Sequence, residues 1–259
     1  MGILNITTDS FYSESRYPVL EKAIKAALLL EAHGADILDI GGESTRPGAL
    51  PVSEEEELQR VIPVIQFLKG TIAIPISIDT IKPTVAAAAI KAGAALINDV
   101  SGFDNPDMIA VALENPVDIC VVHMQGTPQT MQLNPHYAAG IIPDLLEWFE
   151  RKSERLLKSG IQPDRIILDP GIGFGKTVAH NLEIIQNLPK LKRLGFRVLL
   201  GISRKSFLSK ILNKTPSELL SGTLALNSLA IASDVDIIRV HDVKEHRDAV
   251  DAIRICLQN

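Results

Sequence analysis

Charged, amide and imidazole side chains follow the short apolar runs of this sequence, at the points where the runs end. Three of them, Asp79, Asn98 and Asp169, are rich in hydrogen-bond acceptors. If the runs are strands of one parallel sheet, these side chains converge at its carboxyl edge. A carboxylate can accept two N–H bonds from a flat heterocycle, so the trio predicts a site for a donor-rich ring of the aminopyrimidinone kind. Each residue taken alone could instead cap a strand end.

A second group of side chains at the same predicted edge carries positive charge or hydrogen-bond donors. It consists of Arg46, Lys205, Arg239 and His241. In a chain with a formal net charge of −5, these residues predict a local anion site, most naturally for phosphate or diphosphate. The alternative for Arg239, and for Arg204, is an ion pair with a neighbouring carboxylate.

A glycine-rich stretch, DPGIGFGKT at residues 169–177, invites comparison with a nucleotide-binding P-loop. That motif needs glycine at position 170, where this sequence has Pro170, so an ATPase is excluded. The glycines would still let the backbone approach a ligand closely, and Phe174 adds an aromatic face beside it.

The cysteine and histidine residues do not have the spacing of a metal centre, since no HExxH motif and no Cys/His cluster occurs. Cys120 and Cys256 lie far apart and are flanked by apolar residues, which predicts buried free thiols in a reducing compartment. A hard cation such as Mg²⁺ could be held partly by protein oxygen and partly by substrate phosphates. Asn5 is the best-placed protein ligand for it.

Eight short apolar runs alternate with longer segments of helical periodicity, and this alternation must position the polar groups. The runs are residues 2–5, 36–40, 74–79, 94–98, 118–122, 165–169, 197–201 and 236–240. The later helical segments are residues 107–114, 142–159, 178–191, 217–233 and 244–257. Apolar runs of this kind are typical of parallel strands covered on both faces. The repeat predicts one (β/α)8 TIM barrel with its active site at the C-terminal ends of the strands, and a doubly wound sheet is the alternative.

Composition agrees with a single domain. A chain of 259 residues suits a barrel of about 250 residues. The 46% of hydrophobic and 22% of charged residues exclude a disordered chain. No basic footprint for nucleic acid, no membrane-spanning run and no secretory signal pattern is present, which predicts a cytoplasmic protein. Because the first apolar run starts almost at Met1, the sequence is expected to be cut from a longer polypeptide.

Seven segments, in a fixed order along the chain, resemble the dihydropteroate synthase family of the folate pathway. They are residues 1–11 (MGILNITTDSF), 39–48 (DIGGESTRPG), 77–80 (SIDT), 98–102 (NDVSG), 169–176 (DPGIGFGK), 203–207 (SRKSF) and 239–243 (RVHDV). The resemblance implies that residues 1–259 form one pterin-binding TIM-barrel domain. It implies condensation of 6-hydroxymethyl-7,8-dihydropterin diphosphate with p-aminobenzoate to 7,8-dihydropteroate and pyrophosphate, with Mg²⁺ as cofactor and sulfonamides as inhibitors.

The same resemblance assigns roles to individual residues of this sequence. The pterin residues are Asp79, Asn98, Met124, Asp169, Lys205 and Arg239. The diphosphate residues are Asn5, Arg46, Arg239 and His241, with Mg²⁺ at Asn5. The p-aminobenzoate residues are Phe11, Thr45, Pro47, Phe174, Lys205 and Ser206. The catalytic residues are Asp79, Asp169, Lys205 and Arg46, and their expected task is electrostatic stabilisation of the departing pyrophosphate and of a cationic pterin.

The sequence departs from the family pattern after Asn5. Thr8 replaces a proline, and YSES at residues 12–15 replaces Ser-Asp-Gly-Gly, so that the family's loop aspartate falls at Ser13 with Glu14 beside it. Loss of both glycines is expected to stiffen this loop or change its closure. The second loop, residues 44–48, follows the pattern fully, which predicts ordinary sulfonamide sensitivity.

The resemblance implies small-molecule substrates, no nucleic-acid or membrane partner, and a homodimer through the last helices. Candidates for its apolar surface are Leu224, Leu226, Ile231 and Ile253, although their pattern favours packing on the barrel over a dimer contact. A corrinoid-type pterin-binding methyltransferase is the nearest rival enzyme, but it would not need residues 203–207 or 44–47. A pterin-binding module without catalytic activity is the other alternative, and it would release no pyrophosphate.

Overall fold

Within the part of the chain that the structure describes, eight parallel strands form one sheet, and neighbouring strands pair in the order of the sequence. The computed structural model describes residues 1–6 and 16–257, with side chains from residue 20 onward in the second range. The strands are β1 (Gly2–Asn5), β2 (Leu38–Gly41), β3 (Ile76–Asp79), β4 (Leu96–Asp99), β5 (Asp118–Val122), β6 (Ile166–Asp169), β7 (Arg197–Leu200) and β8 (Ile237–Ile238).

The sheet closes on itself through a seam between β1 and the residues that follow β8. Gly2 forms a parallel bridge with Val240. The Ile3 N–H donates to the Val240 carbonyl and the Val240 N–H to the Met1 carbonyl, each at 3.0 Å. Closure removes the exposed edges that an open sheet would present. The prediction of a TIM barrel is confirmed, and the doubly wound alternative is wrong.

Helices cover the outside of the barrel. They are α1 (Arg16–Ala32), α2 (Glu54–Leu68), α3 (Pro83–Ala92), α4 (Pro106–Glu114), α5 (Ile141–Lys158), α6 (Val178–Gln186), α7 (Leu188–Lys192), α8 (Ser206–Leu212), α9 (Leu220–Ala232) and α10 (Val243–Leu257). Short 3₁₀ turns occur at Pro163–Arg165 and Pro216–Glu218. Within the described ranges, none of the helices has both the length and the apolar character that crossing a bilayer requires.

Three local expectations differ from the structure. Residues 178–191, expected as one helix, break at Asn187 because Pro189 has no N–H to continue the hydrogen bonding. Helix α8 is absent from the expected elements, since seven residues are too few to show a helical period. Cys120 is buried as predicted, but Cys256 is exposed because it lies near the end of the last helix, where solvent covers it.

Alternation along each strand sorts side chains into two layers. Leu38 and Ile40 pack among the strands and helices, whereas Asp39 between them points into the barrel. The apolar floor of the interior is formed by Leu96, Cys120, Val122, Ile167 and Leu199. Towards the C-terminal ends the inward side chains become polar, and this change places a site at one mouth of the barrel.

Candidate active site

Arg239, which follows β8, joins two strands on the far side of the mouth. Its Nε donates to Asp39 Oδ2 at 2.6 Å and its Nη2 donates to Asp79 Oδ2 at 2.8 Å. Burial opposes the charge, but the two carboxylates outweigh this effect and raise the pKa of Arg239 above its usual range. The alternative role of Arg239, pairing with carboxylates, is therefore realised in the free protein, and one of those carboxylates is the predicted site residue Asp79.

Asp39 is a site residue that the strand-end pattern misses, because it lies inside β2 rather than at its end. Its side chain is fully buried, and its Oδ2 accepts a second bond from Asn98 Nδ2 at 3.3 Å. Burying an unpaired carboxylate is costly, so a charged residue within an apolar parallel strand is itself a signal of a polar interior. That signal was present in the sequence LDIG at residues 38–41.

Acceptor atoms without a partner line the interior beside Arg239. Among the described residues, Oδ1 of Asp39, of Asp79 and of Asn98 is buried and has no hydrogen-bond partner, and neither has the Ser77 hydroxyl. A buried acceptor left unpaired costs about 1–3 kcal/mol. A cluster of them therefore indicates a ligand that brings several N–H donors into the mouth.

Burial also raises the pKa values of two carboxyl groups in the mouth. It raises the pKa of Asp79 to about 7, with Arg239 opposing and Asp39 adding to the increase. Burial likewise raises the pKa of Asp169, whose Oδ1 accepts the Gly171 N–H at 2.8 Å. A ligand that donates N–H groups would favour the ionised form of both side chains.

Lys205 lies between the acceptors and an aromatic face. It directly follows the turn after β7, and its Nζ is 4.0 Å from the ring centroid of Phe174, in the loop after β6. Burial lowers the pKa of Lys205 to about 8, with Arg239 adding to the decrease and Asp169 opposing it. At pH 7 Lys205 is therefore mainly protonated and can donate to a ligand, but it loses its proton at a lower pH than an exposed lysine does.

His241 is held by the neighbouring loop after β7. Its Nδ1 lies 3.0 Å from Ser203 Oγ, which also accepts the His241 backbone N–H at 3.2 Å. Burial, followed by the charges of Arg204 and Arg239, lowers the pKa of His241 to about 4, so the ring is neutral at pH 7. Arg204 pairs with Asp242 at 2.5 Å, which is its predicted alternative role.

Thr45, Arg46 and Pro47 lie on the loop of residues 42–53 between β2 and α2, which we call the β2 loop. Thr45 is half-buried, whereas Arg46 and Pro47 are exposed at the rim. Burial is the main cause of the lowered pKa values of Lys205 and His241, and the charge of Arg46 adds a contribution smaller than that of Arg239. Arg46 therefore acts on the same mouth, although no hydrogen bond joins it to those two side chains within the described residues.

The other predicted residues surround this mouth in part. Asn5 ends β1, and its Oδ1 is 3.7 Å from the point that a Cβ on Gly41 would occupy. Met124 packs against the interior apolar residues, and Ser206 is exposed at the start of α8. Phe11 lies outside the described residues, as do the departures from the family pattern at Thr8, Ser13 and Glu14.

The glycine-rich loop after β6 uses its glycines to approach another loop. A Cβ on Gly171 would lie 1.9 Å from the His123 carbonyl oxygen, and one on Gly175 would lie 2.7 Å from that of Gln125. Both glycines have φ of +66°, a conformation that other residues rarely adopt. The expected close approach at these two positions is thus made to the loop after β5.

Lys176 fastens the same two loops together. Its buried Nζ contacts His123 Nδ1 at 2.9 Å and donates to the carbonyls of Phe174, at 2.9 Å, and of His123, at 3.2 Å. Burial lowers the pKa of Lys176 to about 7, with Asp169 opposing. The lysine of the motif thus holds the Phe174 backbone in place.

The residues described form no group of three or more His, Cys, Asp or Glu side chains that could hold a metal ion. A magnesium ion at this mouth would need oxygen ligands from a substrate in addition to any from the protein. The Asn5 amide oxygen is a hard ligand of the right kind, so the donor set fits a shared site of this type.

Comparison with known proteins agrees with this geometry. A sequence profile of the family described as "Pterin binding enzyme" matches residues 1–241. The dihydropteroate synthase of Synechocystis sp. is 47% identical over 246 residues, 94% of this chain and 85% of that protein. Two solved structures superpose with a TM-score of 0.94 over 100% of this chain.

One of these structures is the Yersinia pestis dihydropteroate synthase with a sulfonamide drug complex, 39% identical and covered to 94%. The other is the Clostridium difficile dihydropteroate synthase in the presence of pteroic acid, 41% identical and covered to 96%. The barrel and its acceptor-lined mouth are thus those of a pterin-binding enzyme. Within that class, the chain belongs to the dihydropteroate synthase family, which confirms the resemblance.

We expect Gly171→Ala to destabilise the protein by about 3 kcal/mol, because the left-handed backbone and the collision with His123 both oppose the methyl group. Gly195→Ala is the matched control, since Gly195 has φ of +84° and nothing within 4 Å of its would-be Cβ. It should cost only about 1 kcal/mol. Denaturant unfolding measures both values, and equal losses would contradict the assigned contact.

Proposed function

We propose that this protein condenses 6-hydroxymethyl-7,8-dihydropterin diphosphate with p-aminobenzoate, giving 7,8-dihydropteroate and pyrophosphate. The observation that carries the proposal is the cluster of buried, unpartnered acceptors beside Arg239. A pterin ring presents several N–H donors on one edge, which is what these acceptors lack. The similar structure obtained with pteroic acid supports a mouth that takes a pterin and an aminobenzoyl group together.

The acceptors hold the pterin ring in this proposal. Asp79, Asn98 and Asp169 receive its N–H groups, and the Lys205 ammonium donates to its oxygen or ring nitrogen. Met124 supplies an apolar contact to the ring. The hydrogen bond and charge of Arg239 oppose protonation of Asp79, and N–H donors from the ligand would favour the ionised carboxylate further.

The diphosphate lies towards the rim, where Arg46 brings positive charge and His241 an N–H donor, and the charge of Arg239 acts from deeper in the mouth. Ser203 accepts from the His241 backbone, and its own hydroxyl proton can then turn to Nδ1, which leaves Nε2–H as the ring's donor to phosphate. These groups stabilise the negative charge that collects on the pyrophosphate as the C–O bond breaks.

Mg²⁺ enters the proposal through the Asn5 amide oxygen. Asn5 would hold the ion through one oxygen, and the other ligands would have to come from solvent and from the substrate, as magnesium sites commonly require. When bound, the ion supplies further neutralisation of charge on the leaving group.

The p-aminobenzoate lies against Phe174, between Lys205 and the β2 loop with Thr45 and Pro47. Ser206 adds a hydroxyl at the start of α8, and Phe11 is placed nearby by the family pattern. The arylamine nitrogen gives its lone pair to the pterin methylene carbon while the C–O bond to diphosphate breaks, and the amine then loses a proton. Asp169 stabilises the positive charge that develops on the pterin, so no side-chain nucleophile is needed.

Pyrophosphate release on mixing the protein with dihydropterin diphosphate, p-aminobenzoate and Mg²⁺ tests the function directly. We expect release that requires both the arylamine and Mg²⁺ and that a sulfonamide inhibits competitively against p-aminobenzoate. A chelator should abolish the release, and added Mg²⁺ should restore it.

Pterin binding without any release would contradict the proposal and favour a non-catalytic pterin-binding module.

The roles of individual residues are tested in the same assay. Arg46→Ala and Asp169→Ala should each lower kcat/KM by about 100-fold or more, and near-normal values in either variant would contradict the electrostatic mechanism.

Binding of 7,8-dihydropterin should show a narrow pH optimum, because the ligand needs an ionised Asp79 and a protonated Lys205. Affinity should fall as the pH drops below about 7, where Asp79 gains a proton, and as it rises above about 8, where Lys205 loses one. Calorimetric titration across this range measures both limbs.

Two variants assign the limbs of this profile. Asp79→Asn should remove the acid limb and weaken binding, while Lys205→Arg should remove the alkaline limb, since a guanidinium does not titrate there. An alkaline limb that survives in Lys205→Arg would belong to the ligand and would contradict the assignment to Lys205.

We propose in addition that the protein is a homodimer through α9 and α10. Helix α9 contains no charged residue. The side chain of Leu229 on α9 is 57% exposed, and that of Leu257 on α10 is 63% exposed. Of the candidates named from the sequence, Leu224, Leu226 and Ile231 on α9 and Ile253 on α10 are half-buried, and Leu226 packs against the barrel core. A helix without charged residues is suited to being covered on both faces.

The substitution Leu229→Glu tests the proposed dimer. Sedimentation equilibrium should show two chains for the unchanged protein and one chain for the variant, because a charge would be buried in the contact. Lys25→Glu on α1 is a control that should leave the mass unchanged. A monomeric unchanged protein would contradict the proposal.

The two cysteines support a reducing compartment, and we propose the cytoplasm as the place of action. Neither Cys120 nor Cys256 is in a disulfide, and the second thiol is exposed to solvent. Exposed free thiols are more typical of proteins kept under reducing conditions.

A further inference from the structure

We propose that Lys82 is a positioning residue for the p-aminobenzoate side of the site, because it ties the start of the β2 loop to a buried carboxylate on α2. This inference rests on the proposed function, whose p-aminobenzoate pocket includes Thr45 and Pro47 of that loop. Lys82 lies just before α3 and outside every segment that carries the family resemblance.

One ammonium group joins two carboxylates from different parts of the chain. Lys82 Nζ is 2.5 Å from Glu57 Oε2 and also pairs with Glu43. The Glu57 side chain is fully buried, whereas those of Lys82 and Glu43 are 19% and 16% exposed. Partly buried pairs of this kind are screened much less by solvent than surface pairs are.

A second cation fixes the neighbouring residue. Arg60, one turn after Glu57 on α2, donates from Nη1 to the Gly42 carbonyl at 2.7 Å. Gly42 and Glu43 are the first two residues of the β2 loop. The loop therefore leaves β2 with both its backbone and its first charged side chain fixed to α2.

The far end of the predicted ligand-contacting segment is held by different contacts. The Gly48 N–H donates to the Pro128 carbonyl at 3.0 Å, and Gln129 Nε2 donates to the Ala49 carbonyl at 3.1 Å. Residues 44–47 thus span the space between an anchor on α2 and an anchor on the loop after β5.

A cavity adjoins this span. A cavity of about 670 Å³ lies there, and its walls include Glu43, Thr45, Glu57 and Asp79. Since Thr45 borders this open space, the ion pairs at the start of the loop supply part of the support that core packing gives elsewhere. Lys82 fixes the direction in which residues 45–47 leave the barrel.

Charge gives Lys82 a second effect on the same segment. Glu43 stands three residues before Arg46, and a free carboxylate there would attract the guanidinium away from an anionic substrate. Pairing with Lys82 neutralises Glu43 and leaves Arg46 available. Both effects predict that the tether acts on the rim of the site and spares the pterin acceptors deep in the barrel.

The test uses Glu43→Gln, which cuts the tether at the loop and leaves the buried Lys82–Glu57 pair intact. We expect the KM for p-aminobenzoate and the inhibition constant of a sulfonamide to rise together by about tenfold. The dissociation constant of 7,8-dihydropterin should change by less than about twofold. Glu154→Gln is the matched control, since Glu154 pairs with Lys158 on the exposed face of α5, and it should change none of these values.

Hydrogen exchange separates failure of this inference from failure of the proposed function, because it needs no turnover. Backbone amides of residues 44–48 should exchange about tenfold faster in Glu43→Gln than in the unchanged protein. Lys82→Arg, which keeps the charge, should exchange and bind p-aminobenzoate much as the unchanged protein does. Lys82→Met is less informative, since it leaves Glu57 buried without a partner.

Three results would overturn the inference. They are unchanged exchange in Glu43→Gln, an unchanged KM for p-aminobenzoate in an active enzyme, and parallel loss of pterin and p-aminobenzoate binding. Absence of turnover in the unchanged protein would instead refute the proposed function, and the exchange rates would still decide whether Lys82 positions the loop.

Discussion

The enclosed guanidinium of Arg239 is the interaction on which the rest of the site depends. Asp39 and Asp79 lie on neighbouring strands and point into the same small volume, where two unpaired carboxylates would repel each other. Arg239 bonds to both and makes that arrangement tolerable. It satisfies only one oxygen of each carboxylate, and the remaining oxygens are the acceptors left for a ligand. A single cation therefore both stabilises the polar mouth and defines its binding capacity.

Burial and pairing are balanced differently around the mouth. Asp79, Lys205 and His241 all have pKa values moved towards the neutral form by burial, to about 7, about 8 and about 4 respectively. A ligand that brings complementary charge or hydrogen bonds would move these pKa values back towards the charged forms. The loops after β7 and β8, which hold Lys205 and His241, are joined by Arg204 with Asp242, and the loops after β5 and β6 are joined by Lys176 with His123. Such cross-loop contacts keep the donors and acceptors in place without a ligand.

Much of this organisation could be predicted from the sequence, because a parallel barrel has a simple rule for where strands end. Asp79, Asn98 and Asp169 follow from that rule, and the structure places them at one mouth. Asp39 was missed, since the rule looks past residues inside a strand. The pairing of Lys82 with Glu43 and Glu57 spans 39 and 25 residues, and a single sequence carries no signal of which distant charges meet. The sequence predicts that the glycine-rich loop approaches a ligand, whereas Gly171 approaches the backbone of His123. The spacing of glycines indicates a close approach but not the partner.

The seam that closes the barrel affects the order in which the protein folds. Arg239 lies 200 residues from Asp39 and 160 from Asp79 along the chain. The mouth therefore cannot exist in a nascent polypeptide until the eighth strand has been made and has found the first. Contacts between residues so far apart in the sequence form late and slowly, because the entropy of loop closure is lost before the contact energy is gained. Any ligand that recognises this mouth binds only the finished barrel and draws the folding equilibrium towards it.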